Sequence, residues 1–427
     1  MRHVGRDYLG VHCTLVPDIA LTRVIALAAL IWTYIGLTIG RVPGLRVDRT
    51  GVAIIGAAVV VVTGVVPWDR AVASVDAHTL ALLFGMMIVS AYLRLSGFFH
   101  LVTLWAVRRA RTPAGLLAAL IGAAGVLSAV FVNDVICLVL APLVLRITRQ
   151  LRLPPVPYLI ALATAANVGS VATLTGNPQN MLVGSFSGLS YRSFLFREAP
   201  VALIGLVCVF GIVWLVYRSQ LGAVIEPGQI ETHFAVHYPL MIKTVLGVLV
   251  MLVAFLAGVP VALVALGGAA YTLLTRRVKP AKVYREINWE LLVLFTGLFV
   301  LIGGLEATGL TGELFRWTAA AHLHHPAMLT AVSAVLSNLV SNVPAVLLFK
   351  SIIPTFAEPA RGWLILAMAS TLAGNLTLFG SVANLIVVEV ARGARVELHF
   401  LEYSRVGVPL TLVTLLVGWL VLSLLPV

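Results

Sequence analysis

Charge is scarce in this chain. Of 427 residues 11% are charged and only 17 are Asp or Glu, while 60% are hydrophobic and the mean hydropathy is +1.04. A soluble domain carries about 25% charged residues, so a water-soluble enzyme or binding module is excluded. Cysteine is nearly absent. Cys13, Cys137 and Cys208 are far apart in sequence, which implies neither a disulfide framework nor a metal centre. Long polar stretches are also missing, and the longest connection runs from about Arg218 to Tyr238. The opening Met1–Pro17 lacks the apolar core and small-residue cleavage site of a signal peptide, so the tail 1–18 is expected to precede a retained first helix. What is present instead is a series of apolar segments of roughly 17–25 residues, the length that spans a bilayer. The net charge of +12 would suggest nucleic acid in a soluble protein. Here the basic residues cluster in alternate loops, as the positive-inside rule requires, so the partner expected is the lipid bilayer and not nucleic acid.

The apolar segments are interrupted in four places. Ser128–Pro142 carries Asn133 and Asp134 in its middle, and Ser337–Ala345 carries Ser341 and Asn342. A carboxylate in hydrocarbon costs a few kcal/mol, which makes Asp134 a functional candidate; the blander reading is a polar pair tied between helices. Two Gly-rich stretches follow these, one in each half. Thr164–Asn180 contains Asn167, Thr175, Gly176, Asn177 and Asn180; Gly374–Asn384 contains Asn375, Thr377, Gly380, Ser381 and Asn384. Glycine and proline break helices, and short polar side chains beside freed backbone groups are the mark of a discontinuous helix aimed at a ligand.

The block Pro113–Leu145 is too long for one span and is flanked by basic clusters on both ends, so it is expected to enter and return as a re-entrant hairpin. The first half thus reads as spans near 19–39, 51–66 and 79–96, an interfacial amphipathic stretch 97–110, the hairpin 113–145, a broken helix 157–183 and a closing span 199–216. After a connecting loop 218–239, the second half 240–427 repeats the order, with spans near 240–257, 261–275 and 288–305, an interfacial stretch to Leu323, a hairpin 327–349, a broken helix 363–390 and a last span 406–425. The halves superpose in sequence. At an offset of 212, Gly85, Gly97 and Trp105 meet Gly297, Gly309 and Trp317; at 209, Asn133 meets Asn342; at 208, Asn167 meets Asn375; at 204, Gly176 and Asn180 meet Gly380 and Asn384. Five crossings per copy invert the second, the inverted-topology repeat of secondary transporters. Placing the hairpin 113–145 and its flanking loops on the cytoplasmic side puts nineteen basic residues inside and nine outside, which predicts both termini outside in an inner or plasma membrane.

Two hairpin tips and two broken helices are then expected to meet near the midplane, in an all-α polytopic protein. Half-helix N-termini offer unpaired N–H groups to oxygen-rich solutes. The four motifs contain no Arg or Lys, so a large multiply charged anion lacks a counter-charge, and a small oxyanion or a neutral trihydroxide fits better. Asp134 is their one acid. It is the candidate proton carrier or Na⁺ ligand, with a fixed half-helix cap as the plainer reading. Cys137 reads as a small core hydrophobe, and His322, His324 and His325 as a solvated loop rather than a metal cluster; Glu306 and Glu313 read as solvated too.

The motifs Ala129–Pro142, Gly176-Asn-Pro-Gln-Asn180, Ser341-Asn-Val-Pro344 and Gly380-Ser-Val-Ala-Asn384 resemble those of the ion-transporter superfamily, and most closely its ArsB/NhaD-type permeases, which include arsenite efflux pumps and anion permeases. The resemblance covers nearly the whole chain. It implies an elevator-like or rocking alternating-access carrier, often a homodimer, with ions at the hairpin tips; an ATPase partner is left open by the sequence. The Na⁺/dicarboxylate branch carries Ser-Asn-Thr at both tips, whereas this chain has Val132-Asn133-Asp134 and Ser341-Asn342-Val343. The expected function is therefore proton-coupled transport of a small inorganic oxyanion or metalloid hydroxide, arsenite or antimonite before others, with no cofactor beyond the coupling ion. Na⁺-coupled dicarboxylate uptake, Na⁺/H⁺ antiport and a channel are the competing readings; a membrane enzyme would need a nucleophile–base pair that no motif supplies.

Overall fold

The structure, a computed structural model, describes residues 19–39, 46–221, 236–310 and 322–424, so the tail 1–18 with Cys13, Glu313 and most of the loop 218–239 lie outside the described residues. Every regular element among the described residues is helical. In the first repeat these are α1 (Ile19–Ile39), α2 (Arg49–Val62), the short α3 (Trp68–Ser74), α4 (Ala77–Ser96), α5 (Phe98–Arg109), α6 (Pro113–Val130), α7 (Asn133–Gln150), α8 (Pro155–Ser170), α9 (Pro178–Ser187) and α10 (Tyr191–Tyr217). The second repeat has α11 (Tyr238–Leu256), α12 (Val261–Leu273), α13 (Pro280–Tyr284), α14 (Trp289–Ala307), α15 (Pro326–Val340), α16 (Asn342–Phe349), α17 (Pro359–Ala373), α18 (Val382–Gly393) and α19 (Phe400–Leu424). Local chemistry sets the starts. Asp76 accepts from the His78 and Thr79 amides ahead of α4, and Thr112 accepts from Gly115 with Pro113 at the first helical position of α6.

Length and composition alone would let α6 cross a membrane, as they would six other described helices. Contacts show that it is a hairpin limb. The Tyr158 hydroxyl, in the first turn of α8, donates to the Pro113 carbonyl at the start of α6 at 3.1 Å. The start of α6 and the start of α8 therefore share a level, and α7 ends five residues before α8 begins. At the far end, the Asn133 amide donates to the Gly176 carbonyl inside the break between α8 and α9 at 3.0 Å. So α6 descends to the break and α7 returns. The second hairpin, α15–α16, enters from the opposite end. Lys350 at its close lies 3.4 Å from Glu306 at the end of α14 and 5.4 Å from the Phe186 ring at the end of α9, the far side of the first broken helix from Tyr158. The five-crossing scheme requires this inversion. Cysteines placed singly at the exposed positions 111 and 149 are expected to react with a membrane-impermeant maleimide from one face only, the same for both; labelling from opposite faces would make the block a crossing.

The repeats exchange helices. α4 packs on α12 and α14 on α2. The two crossings are the same contact made twice: a Cβ at Gly85 would lie 2.6 Å from the Ala265 carbonyl carbon, and one at Gly297 3.0 Å from that of Ala53. Both pairs are related by the offset of 212 found in the sequence. In lipid such crossings depend on backbone approach rather than on hydrophobic burial, which is why glycine stands there.

Some expectations are corrected. The closing spans begin earlier than hydropathy suggests: α10 starts at Tyr191 and α19 at Phe400, because Arg192, Arg197 and Glu198 in one and Glu402 and Arg405 in the other lower the hydropathy of turns that are helical. The first hairpin runs five residues further, to Gln150. α5 rests one face on the protein: Phe99 is fully buried and its ring meets Phe131 at the hairpin tip edge-on, with centroids 6.0 Å apart, while Trp105 is exposed. Its counterpart at 311–321 is outside the described residues. Glu306 keeps 34% of its side chain exposed, and it also pairs with Lys350 and accepts a 3.0 Å hydrogen bond from Ser351. His322, His324 and His325 face one another, with ring centroids 4.4–6.3 Å apart, but no group of metal-ligating side chains with a metal's geometry is found among the described residues.

Candidate functional site

Four half-helices begin at the centre of the molecule. α7 begins at Asn133, α9 at Pro178 behind the cap Asn177, α16 at Asn342 and α18 at Val382 behind the cap Ser381. Asn177 accepts from the Asn180 amide at 2.8 Å, and Ser381 from the Ala383 amide at 3.2 Å. Each break is braced by one asparagine that reaches back to carbonyls the preceding half-helix has freed. Asn180 Nδ2 donates to Ser170 O at 3.0 Å and Thr173 O at 2.9 Å; Asn384 Nδ2 donates to Gly374 O at 2.8 Å and Thr377 O at 3.1 Å. The donors and all four acceptors are related by 204 residues.

That constant offset corrects one pairing. In the sequence Asn167 aligns with Asn375 at 208, but the braces and helix bounds keep 204 from α8 to α9, which matches Asn167 with Thr371. The hydrogen bonds agree. Asn177 Nδ2 donates to Thr371 Oγ1 at 3.2 Å, and the equivalent cap Ser381 donates to Asn167 Oδ1 at 3.0 Å. Each cap thus reaches the first half-helix of the other repeat.

Asn167 is the hub. Its Oδ1 also accepts from Asn133 Nδ2 at 2.9 Å, and its Nδ2 donates to Asn375 Oδ1 at 2.8 Å and Asn384 Oδ1 at 3.1 Å. Asn133, Asn167, Asn375, Ser381 and Asn384 are all buried. On the other side of the network Gln179 donates to Thr371 at 3.1 Å, and the single Ser337 hydroxyl hydrogen has Asn342 Oδ1 at 2.6 Å and Ser370 O at 2.9 Å as alternative acceptors. Thr175 lies 3.3 Å from the Tyr191 hydroxyl. Gly176 allows the chain to pass at a distance only glycine permits, because a Cβ there would stand 2.2 Å from Ser170 O; at Gly380 it would stand 2.9 Å from Gly374 O. Ser341 turns the second hairpin in the left-handed region, φ 77°, a strained setting for a side-chain-bearing residue of the kind found at functional sites.

Asn133 Oδ1 is buried without a hydrogen-bond partner among the described residues. Such an acceptor costs about 1–3 kcal/mol when left unpaired. Asp134 follows it, half-buried, and makes no described hydrogen bond or ion pair; it does not cap α7. Asn342 and Thr377 are half-buried as well. A cavity of about 440 Å³ lies between α4, α9, α10 and the α11–α12 turn and borders the first break at Leu174. His78, Thr79, Ser185, Ser190 and Tyr191 supply its polar lining, Leu174 and Met181 its floor, and no Asp, Glu, Lys or Arg lines it. Its lining joins the start of α4, the α9–α10 connection and the α11–α12 turn, helix ends that the inverted scheme puts on one face.

All fourteen site residues predicted from the sequence lie in or beside the two breaks and two tips. Thr371, Ser170, Gln179 and Ser337 join them in the hydrogen bonds. Thr371 was recoverable from the offset of 204. Glu198, fully buried on α10, had no sequence signal, because it sits in a charged-looking turn ahead of the apolar run.

A family model described as citrate transporter matches residues 27–373. The chain belongs to that family, within the ion-transporter superfamily. An uncharacterized transporter of Mycobacterium tuberculosis is 30% identical over 87% of this chain and 93% of its own length. The silicon efflux transporter LSI3 of rice, Oryza sativa subsp. japonica, is 31% identical over 88% of this chain and 93% of its own. The crystal structure of the Alcanivorax borkumensis YdaH transporter, described as having an unusual topology, superposes with a TM-score of 0.61 at 17% identity, covering 95% of this chain and 97% of that one. This is a multi-pass membrane transporter.

Gly176→Ala is expected to lower transport at least tenfold and Gly380→Ala only a few-fold, since the backbone must yield further at the first. Initial rates normalised to the amount inserted in the membrane check the order.

Proposed function

We propose that this protein is a proton-coupled exporter of a small metalloid hydroxide, with arsenite or antimonite the substrate of choice. The observation that carries the reading is the chemistry of the centre: among the described residues it holds amides and hydroxyls from both repeats, an unpaired buried Asn133 acceptor, one unpaired acid and no cation. Neutral As(OH)₃ presents three O–H donors and oxygen acceptors and needs no counter-charge. Unpaired acceptors at a binding site select for a solute O–H, since the site otherwise keeps an unsatisfied group. The rice relative named for silicon efflux supports the same class, because silicic acid is also a neutral hydroxide. Asn133, Asn167, Asn177, Asn180, Asn342, Asn375, Ser381 and Asn384 would hold and frame the solute, and Asp134 would carry the proton. The basic loops would face the cytoplasm, which puts the 440 Å³ cavity on the external side. A homodimer would carry two such sites, and a partner ATPase would be needed only if the pH gradient does not suffice.

The family description favours a second reading, carboxylate transport. A tricarboxylate would bring several charges to a centre without Arg or Lys, and it would need cations bound with it. Proteoliposomes decide. The reading predicts arsenite accumulation driven by a pH gradient at fixed Na⁺, and arsenite resistance in an efflux-deficient cell. Citrate accumulation with no arsenite flux would replace it with the carboxylate reading; accumulation that follows Na⁺ and ignores pH would make Asp134 a cation ligand.

A further inference from the structure

Glu198 has no part in the site described, yet it is a carboxyl group with no exposed surface and with neither oxygen hydrogen-bonded among the described residues. Its position follows from its helix. Tyr191, Glu198 and Gly205 are spaced by seven residues, two helical turns, and lie on one face of α10. Tyr191 meets Thr175, at the end of the break between α8 and α9, at 3.3 Å. Gly205 meets Val168, in the last turn of α8 before that break, where an added Cβ would lie 2.6 Å from Val168 Cγ1. Glu198 stands between them and so faces the break itself.

The second repeat supports the placement. Pro200 and Pro409 occupy the same turn of α10 and α19 at an offset of 209, which matches Glu198 with Gly407. A Cβ at Gly407 would lie 2.4 Å from the Asn375 carbonyl oxygen and 3.2 Å from that of Leu376, inside the second break. Where the second repeat has bare backbone, the first has an acid.

The elements packed on this face supply no cation for it. α6 has no titratable residue, and that of α8, Tyr158, is at its far end. α11 carries Tyr238 and Lys243 at the end remote from Phe255, which stacks on Tyr191, and Lys243 bonds Leu274 O. In α19, Glu402 accepts from Tyr217 at the other end of α10, which also places Tyr403 and Arg405 toward that end. Arg361 of α17 pairs with Glu358. On α10 itself Arg197 reaches Ser193, and Arg192 is exposed in the first turn. A buried carboxylate without donor or cation is costly, and in membrane segments such acids mark proton paths.

We propose that Glu198 is a second coupling-proton site, apart from the substrate network, which holds its proton while α10 is closed on the first break and exchanges it with water when the break moves. The proposal rests on the proton-coupled reading. Asp134 belongs to the tip that meets the substrate, so its protonation sets the rule linking solute to proton. Glu198 lies off the substrate network, so it changes only how many protons accompany a turnover.

The test uses the full-length protein in proteoliposomes loaded with arsenite at set pH gradients. Each coupled proton multiplies the limiting accumulation by about tenfold per pH unit. Glu198→Gln is expected to lower that limit by about tenfold per pH unit while arsenite exchange at equal pH stays within about threefold of wild type, and Glu198→Asp is expected to restore the limit. If wild-type accumulation ignores pH, the proton-coupled reading itself fails. If wild type responds and Glu198→Gln responds with the same steepness, Glu198 carries no coupling proton. If Gln and Asp variants both lose exchange at equal pH, Glu198 is structural and the inference is overturned.

Discussion

Asn167→Ala is expected to abolish transport, with a loss of at least a hundredfold in initial rate and continued insertion into the membrane. Among the described residues no other side chain in the centre bonds both repeats so widely: it accepts from Asn133 of the first hairpin and Ser381 of the second broken helix, and donates to Asn375 and Asn384. Truncation leaves those four groups buried and short of a partner, at about 1–3 kcal/mol each before relaxation. The loss should also lower the melting temperature in detergent. Asn167→Asp separates positioning from bulk, since it keeps the acceptor for Asn133 and Ser381 and removes the donor for Asn375 and Asn384. It is expected to recover stability more than transport. Near-normal flux in Asn167→Ala would show that the network only holds the repeats together.

The hub was legible as a residue but not as a hub. Composition and hydropathy are enough to give a polytopic helical protein, because bilayer length leaves few alternatives. The repeat was legible from glycines: Gly85 and Gly297 recur in sequence because each lets a helix meet the partner repeat's backbone. The breaks were legible from Gly176 and Gly380. What sequence spacing left ambiguous was the register inside the broken helix, where asparagines are frequent enough to align at both 208 and 204; only hydrogen bonds from Ser381 and Asn177 decide it. The starts of α10 and α19 were hidden by charged first turns, and Glu198 with them. Its burial depends on the face α10 presents to α8, which is a tertiary fact.

Asp134→Asn is expected to lose arsenite accumulation driven by a pH gradient while retaining part of the downhill exchange. The residue is the second of α7, beside the unpaired Asn133 Oδ1, and accepts no backbone amide, so the half-helix does not need its charge as a cap. The Asn substitution keeps the size and removes only the titration. A proton can drive a solute only if its affinity differs between loaded and empty states, and each tenfold difference supplies about 1.4 kcal/mol of coupling. Asn at this position has no such difference to offer. Glu198 would still move its proton, but without a group that links proton to solute those protons cross as a leak, and the gradient collapses without accumulation. Asp134→Ala should be worse in both assays, because the tip loses its acceptor as well. The measurement is arsenite accumulation in proteoliposomes with an imposed pH gradient at fixed Na⁺, beside exchange at equal pH. Undiminished accumulation by Asp134→Asn would place the coupling proton elsewhere, and the unpaired acid would then be a feature of the tip's architecture.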